Sequence, residues 1–414
     1  MKACAVILLL VAALPVGAAP EKPKAPPART VPVDEIRRFT QVFEAVRESY
    51  VDALTDEEIM RAGLRGLLLD IDPHSSYLSA KQARDFEDLN EGGYAGIGIE
   101  SDERDPTRIR VVAPFDDTPA QRAGLRAGDF ITVINGIPVN NEGNSASPER
   151  LRGKPGTKVV LTVLRQGEKS PLTITVIREV ISIQSVKARW LEPGYAYFRI
   201  SAFQGDTGLE FRRQWQNLQS SAAGVKAKGI LLDLRSNPGG LVNAAVEIAD
   251  AFLPEAVVLS TKGRNALANS TYYSKPGEQF GGVPVAVLID AGSASASEIL
   301  AGALQDHKRA TIIGSRSFGK GSVQNIIRLD NGDAFKITTA RYYTPNDRSI
   351  QAQGIVPDIL LSGNARAEMT ERDLPKHIKA GATEDADAES GVVLMGETYI
   401  DKALAYLKQG KTKS

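Results

Sequence analysis

The sequence predicts a multidomain α/β protein, and three observations carry that expectation. Apolar residues recur at three- and four-residue steps from Ile36 onward, the spacing of amphipathic helices. Short β-type runs punctuated by turns fill 92–180. From Ile181, near-continuous apolar strands alternate with helices, as in a sheet covered on both faces.

A chain of 414 residues has room for two or three domains, each with its own core. Its 42% hydrophobic and 24% charged content is that of a soluble globular protein. Fifty basic and fifty acidic residues cancel, so the balance gives no field for nucleic acid or an anionic membrane.

Residues 1–19 read as a signal peptide: Lys2, an apolar stretch from Ala3 to Leu14, then the small residues of Pro15-Val-Gly-Ala-Ala19. The apolar run is short for a membrane-spanning helix, which leaves an uncleaved tether as the alternative. Cys4, the single cysteine, lies inside that run, so the mature chain has no disulfide to draw on. The expected location is a periplasm or cell-envelope space.

Residues 20–33, rich in Pro, Ala and Lys, suit an extended linker. A helical segment over 34–90 follows, with Ile36, Phe39, Phe43, Val46 and Tyr50 on one stripe. Thr55-Asp-Glu-Glu58 caps a second helix through Leu69, and Asp72-Pro-His74 breaks it. The stripe can pack internally or against a second copy, so a homo-oligomer is expected.

The β-rich stretch over 91–180 offers strands at 96–99, 109–112, 129–134, 158–164 and 172–177. A short helix runs from Thr118 to Gly124, Asn135-Gly136 is a hairpin turn, and a further helix is expected over 147–152. The stretch over 181–361 offers strands at 196–200, 229–234, 283–289, 310–313 and 334–339, with helices over 207–223, 241–252 and 295–307. The tail, 362–414, is polar, with a loose acidic run at 384–389. A short helix then presents Tyr399, Ala403, Tyr406 and Leu407 on one face.

Two segments could do chemistry together. Asp290-Ala-Gly-Ser-Ala-Ser-Ala-Ser-Glu298 makes a tight strand-to-helix turn whose helix N-terminus favours developing negative charge. Ser293, Ser295 and Ser297 are all candidate nucleophiles there, and spacing does not choose among them. Lys320 stands between Gly319 and Gly321. A serine needs a base, and a lysine can serve when desolvation lowers its pKa from about 10.4 to about 7–8, roughly 3–4 kcal/mol of disfavoured charge. Gln324, four residues on, can orient Lys320 by a hydrogen bond. Arg235-Ser-Asn-Pro-Gly-Gly240 follows a buried strand and offers backbone N–H groups for an oxyanion.

Only His74, His307 and His377 could build a histidine triad, and none is well placed for one. His307 falls about 18 Å along the helix from Ser295. No HExxH, cysteine pair or paired histidine spacing suggests a metal, and no cofactor is expected.

The order of elements over 91–180 resembles a PDZ domain, on Gly96-Ile-Gly-Ile99 and on Pro119-Ala-Gln-Arg-Ala-Gly-Leu-Arg-Ala-Gly-Asp-Phe-Ile131. The resemblance implies that Gly96, Ile97, Gly98 and Ile99 form a carboxylate-binding loop, beside a sheet edge on which an extended peptide pairs. Across 34–407 the chain resembles the carboxyl-terminal processing (tail-specific) serine peptidases. Asp72-Pro-His-Ser-Ser-Tyr77, Arg235–Gly240, Gly292–Glu298 and Ser317-Phe-Gly-Lys-Gly-Ser-Val-Gln324 carry that resemblance in order.

That family implies a crotonase-like α/β serine peptidase core. It implies Ser295 as nucleophile, Lys320 as general base, Gln324 as its support, and the N–H groups of Gly239 and Ala296 as the oxyanion hole. It also makes Arg152 a link between a peptide-loaded PDZ domain and the catalytic site. The implied substrates are proteins with unstructured apolar C-terminal tails; whether an adaptor protein delivers them stays open. The alternatives are a catalytically silent PDZ scaffold and, on fold alone, a crotonase-type acyl-CoA enzyme.

Overall fold

A computed structural model describes residues 31–102, 105, 107–115, 117–139, 148–182, 184–222, 224–361, 370–379 and 391–409. The signal peptide with Cys4, most of the linker, Ser147 and the acidic run at 384–389 lie outside the described residues. The chain divides into two compact units, Met1–Gly63 and Leu64–Ser414.

The first unit holds helix α1 (Val33–Ser49), with Asp34 and Glu35 in its first turn and Arg47 in its last, both favourable to the helix dipole. Helix α2 (Asp56–Ile71) opens on three acidic residues, and Glu58 accepts both the N–H and the hydroxyl of Thr55. No described helix is long and apolar enough to cross a membrane.

The second unit begins within α2, at Leu64, and continues with the Asp72–Tyr77 turn, strand β1 (Ser76–Leu78) and helix α3 (Ala80–Glu91), which Ser79 caps through a reciprocal Ser79–Gln82 box. The β-rich module follows. Strands β2 (Gly93–Gly96) and β3 (Ile99–Asp102) flank the Ile97-Gly98 turn, so the single strand expected at 96–99 is two strands with a loop between them. Next come β4 (Ile109–Pro114), helix α4 (Pro119–Arg122), β5 (Phe130–Ile134) and its hairpin partner β6 (Ile137–Pro138). Then follow β7 (Lys158–Leu164), β8 (Leu172–Ile177) and β9 (Glu179–Ser182). The helix expected over 147–152 is a single 3₁₀ turn, Pro148–Leu151. The sheet runs β3-β4-β5-β7-β8, which leaves β3 at an edge. Alternation in β7 buries Val159, Leu161 and Val163 against Val111, Ile131 and Val176.

The larger core is built on β10 (Val186–Glu192), β11 (Tyr195–Ile200) and β12 (Gly229–Asp233), with helix α5 (Thr207–Ser221) between the last two and α6 (Val242–Ala249) after them. An antiparallel pair, β13 (Val257–Gly263) and β14 (Ser270–Tyr273), precedes β15 (Val285–Ile289), helix α7 (Ala296–Asp306) and β16 (Thr311–Gly314). The long hairpin β17 (Ser322–Arg328) and β18 (Ala334–Tyr343), short β19 (Ile359–Leu360) and helix α8 (Thr398–Lys408) complete it.

The main sheet, β10-β11-β12-β15-β16-β19, is parallel from β11 onward. Every residue of β12 and β15 is buried, because helices cover both faces. One face packs Phe198, Phe211, Trp215, Phe252 and Phe280 with α5, α6 and α7. Ring centroids there stand 4.4–6.4 Å apart. The other face packs Leu231 and Leu288 under Ile400, Ala403 and Leu407 of α8. In the second sheet β18 pairs with β1 at one end, β13 at the other and β17 along its length.

Candidate active site

Strand β15 ends at Asp290, and the chain then turns sharply into α7. The buried Asp290 carboxylate accepts the N–H of Gly292 at 3.0 Å and of Ser236 at 2.7 Å, tying this turn to the one after β12. Ser293 Oγ donates to the Leu234 carbonyl (2.8 Å) and Ser297 Oγ to the Asn237 carbonyl (3.0 Å). Those two hydroxyls are occupied by backbone, and their residues are 1% and 0% exposed. Ser295, at the N-cap of α7, is 6% exposed and shares a hydrogen bond with the buried Tyr342 phenol. Among the described residues the hydroxyls of Ser293 and Ser297 donate to backbone carbonyls, and that of Ser295 does not. Its φ of 55° and ψ of −113° lie where non-glycine residues rarely sit, a strain of about 1–3 kcal/mol.

Glu298, in the first turn of α7, is fully buried and serves both halves of the site. Its Oε2 accepts the N–H of Ser295 at 2.8 Å and of Lys320 at 2.9 Å. Its Oε1 accepts the N–H of Gly319 at 2.7 Å and the hydroxyl of Ser317 at 2.5 Å. Burial pushes this carboxyl up to about 7, against the four donors that hold it down. In the sequence alone Glu298 shows only its position three residues after a capping serine, the spacing of a capping box.

Lys320 is partly buried, and that burial lowers its pKa from the ordinary lysine value. The neighbouring Lys336 ammonium on β18 pushes the same way, while Glu371, Glu298 and Asp72 oppose. Among the described residues no hydrogen bond joins Ser295 Oγ to Lys320 Nζ; one carboxylate holds the two through their backbones. Gln324 donates to Ser322 Oγ (2.8 Å) and Thr338 Oγ1 (3.3 Å), and not to Lys320.

The turn after β12 is braced from below. Asp233, itself buried, receives two guanidinium hydrogen bonds from Arg235 (2.9 and 2.6 Å) and the Tyr197 hydroxyl (2.8 Å). Gly239 has φ +99°, and a Cβ there would lie 2.8 Å from Ser295 Cβ and 2.9 Å from Ala296 N. Gly239 and Ala296 therefore adjoin Ser295. Ala296 opens α7, so its N–H has no intrahelical partner. The Gly239 N–H donates to Asn237 Oδ1 at 2.9 Å.

The histidines stand elsewhere: His307 bonds the Val257 carbonyl, His377 the Leu374 carbonyl, and His74 the Glu371 carboxylate. No described group of three or more His, Cys, Asp or Glu side chains is placed to hold a metal ion.

In the β-rich module a groove of ≈ 130 Å³ is lined by Lys81, Tyr94, Gly96, Ile97, Ile99 and Arg152. Gly98 has φ +79° and packs on Thr118, whose Oγ1 donates to the Gly98 carbonyl at 3.0 Å. Arg152 is half-buried against the Tyr94 ring and pairs with Asp88 (2.5 Å) and Asp85 (3.0 Å) of α3. It meets α3 rather than the serine turn. Helix α3 is in turn fixed to the β17–β18 hairpin, where Asp333 accepts the Ala80 N–H (2.8 Å) and the Tyr77 hydroxyl (2.6 Å).

A β-rich module with a groove at Gly96–Ile99, joined to an α/β core with a buried serine turn, defines a protease carrying a PDZ domain. Comparison with known proteins agrees. The family model for Peptidase family S41 matches residues 194–361, and that for the PDZ domain matches 93–176. A carboxy-terminal-processing protease of Bartonella bacilliformis is 41% identical over 368 residues, 89% of this chain and 82% of that protein. A carboxyl-terminal-processing protease of Synechocystis sp. is 34% identical over 320 residues, 76% and 74% of the two chains. Among solved structures, a photosystem II D1 C-terminal processing protease aligns with 79% of this chain and 93% of its own, at 26% identity and a TM-score of 0.44. The chain belongs to the carboxyl-terminal processing serine protease family.

Proposed function

We propose that the protein is an exported endopeptidase that takes apolar, unstructured C-terminal tails on its PDZ domain and cleaves on their N-terminal side with a Ser295–Lys320 dyad. The observation that carries this reading is Glu298, a single buried carboxylate that holds the N–H groups of both Ser295 and Lys320. Burial of Lys320 supports the rest, since a base must be neutral and desolvation favours the neutral amine.

In the forward step Lys320 Nζ takes the Ser295 proton while Oγ attacks the scissile carbonyl. The Gly239 and Ala296 N–H groups receive the oxyanion. The Lys320 ammonium then protonates the leaving amine, and an acyl-enzyme remains on Ser295. Water, deprotonated by the same amine, releases the product and restores the serine. Attack requires Ser295 to exchange Tyr342 for Lys320, and Gly239 to release Asn237, so the described arrangement is a resting one.

The open β3 edge and the groove at Gly96–Ile99 suit an extended tail with its terminal carboxylate on backbone N–H groups. Arg152 and α3 provide a physical route from that groove to the β17–β18 hairpin, whose first strand opens two residues after Lys320. A signal peptide over 1–19 takes the chain to the periplasm or cell envelope. The exposed Ile36, Phe39 and Val42 face of α1, which buries none of its residues, pairs with a second copy. An adaptor protein would act by presenting tails to the groove.

Purified Ser295→Ala and Lys320→Ala variants should keep the fold by circular dichroism and lose cleavage of a peptide with a free apolar C-terminus. Retained turnover in either variant sinks the dyad. The resting contacts of Ser295 and Gly239 also fit a second reading, a silent PDZ scaffold; labelling of Ser295 by a serine-acylating probe excludes it.

A further inference from the structure

The Asp72-Pro-His-Ser-Ser-Tyr77 motif has no part in the dyad, yet the fold brings it to the back of the loop that carries Lys320. Asp72 accepts the N–H groups of His74 and Ser75 (2.8 Å each), the Ser75 hydroxyl (2.6 Å) and the Thr338 hydroxyl (3.2 Å). Ser75 Oγ accepts the Thr338 N–H at 3.1 Å, so the turn is fastened to β18. It presents His74, whose Nε2–H donates to both oxygens of Glu371 at 2.9 and 2.8 Å.

Glu371 is 0% exposed, more than 290 positions away in sequence, and has two further partners. Its Oε1 accepts Gln351 Nε2 at 2.8 Å, and its own N–H donates to the Phe318 carbonyl at 3.0 Å. Gln351, equally buried, uses its Oε1 to accept the N–H of Gly321 at 3.0 Å. A Cβ at Gly321 would lie 2.3 Å from Gln351 N, so glycine is required for this approach. The chain of contacts from His74 thus ends on the residue after Lys320, while Glu298 holds Gly319 and Lys320 from the other side.

We propose that His74, Glu371 and Gln351 are positioning residues for the base, fixing the Lys320 loop opposite Glu298 and setting, through the Glu371 carboxylate, the field in which Lys320 gives up its proton. The proposal rests on reading Lys320 as the base. The charged groups facing Lys320 are Glu298 from α7, Glu371 from its 3₁₀ turn, Asp72 from the loop after α2, and Lys336 from β18. The ionisable partner of Glu371 is His74. Of the three carboxylates, only Glu371 is joined to the Lys320 loop through another side chain. Its charge can therefore be removed while the Glu298 contacts to Ser295 and Lys320 stay in place.

The test uses the full chain and a peptide with a free apolar C-terminus, with kcat and KM followed across pH. Glu371→Gln removes a negative charge that favours protonated Lys320. The pH of half-maximal kcat/KM should therefore fall by about one unit, a tenfold change in the Lys320 equilibrium. His74→Ala should lower kcat about tenfold with KM within about twofold, and His74→Gln, which keeps a side-chain N–H donor, should recover most of that loss. A packing role alone would lower rates equally at every pH and would not distinguish the two His74 variants. An unmoved pH midpoint in Glu371→Gln, or equal loss in both His74 variants, overturns the proposal. If Glu371→Gln does not fold, the His74 pair decides. Should that happen while Ser295→Ala and Lys320→Ala are inactive, the dyad stands and only the positioning role is lost; activity in either of those variants overturns the dyad itself.

Discussion

Replacing Glu298 by Gln tests how far one carboxylate holds the two halves of the site together. Its two oxygens receive four donors, three of them backbone N–H groups. An amide offers one acceptor oxygen and an NH₂. If the oxygen takes the Oε2 position, Ser295 and Lys320 keep their acceptor, but the Gly319 N–H then faces a second donor. If the amide is reversed, Ser295 and Lys320 both lose theirs. The Ser317 hydroxyl can turn; the backbone N–H groups cannot. Either way at least two buried donors lack acceptors, each costing about 1–3 kcal/mol, so the loss is about 2–6 kcal/mol. In a chain of this size the melting midpoint should drop by at least about 2 °C. Displacement of Lys320 by about 1 Å should lower kcat by about 100-fold. Differential scanning calorimetry and peptide cleavage measure the two effects on one preparation. A variant that melts within about a degree of the wild type and cleaves at its rate would refute the argument.

Three more outcomes follow from the same geometry. Gly239→Ala places a methyl group 2.6 Å from the Ala294 carbonyl oxygen at a φ of +99°, so the turn must shift; kcat should fall about 100-fold or more, and a normal rate would count against Gly239 as an oxyanion donor. Burial raises Glu298 to about 7, so its contribution to stability is complete below about pH 4.5 and lost as pH rises through about 7. Melting midpoints should fall across that window in the wild type, by up to about 3 kcal/mol of stability, and lose this slope in Glu298→Gln. Arg152→Ala should lower cleavage of tail-bearing peptides about tenfold, within the usual range of coupling between sites; unchanged steady-state rates would remove Arg152 from the route.

Local pattern read the strands of the β-rich module from their one-sided burial, and the central strands of the main sheet from their continuous apolar runs. The run at 158–164 coincides with β7, and the buried strands at 229–233 and 285–289 fall within the expected segments. Sequence pattern does not disclose α3, β10, β13, β14 or β17. Polar Ala80–Glu91 lacks a broad apolar stripe, and β17, SVQNIIR, shows no clean alternation and contains a register shift at Val323/Gln324. At the site, the serine turn and Lys320 were legible from glycines and small residues. The contacts around them were not. Glu298 and Glu371 are acidic residues that composition assigns to the surface; only tertiary structure buries them beside donors. His74 looked like part of a helix break, and its partner lies 297 positions downstream.

That separation has a consequence for when the enzyme can act. Ser76 to Leu78 pair with β18, Asp72 reaches Thr338 across 266 positions, and the Lys320 loop is closed by Glu371. Contacts of such sequence separation form late, because the entropy of closing the intervening chain must be overcome first. A chain still being synthesised lacks the hairpin, the Lys320 loop or the turn that closes it. A site divided between distant segments therefore gives the protease a built-in delay, during which it cannot cut itself or its neighbours.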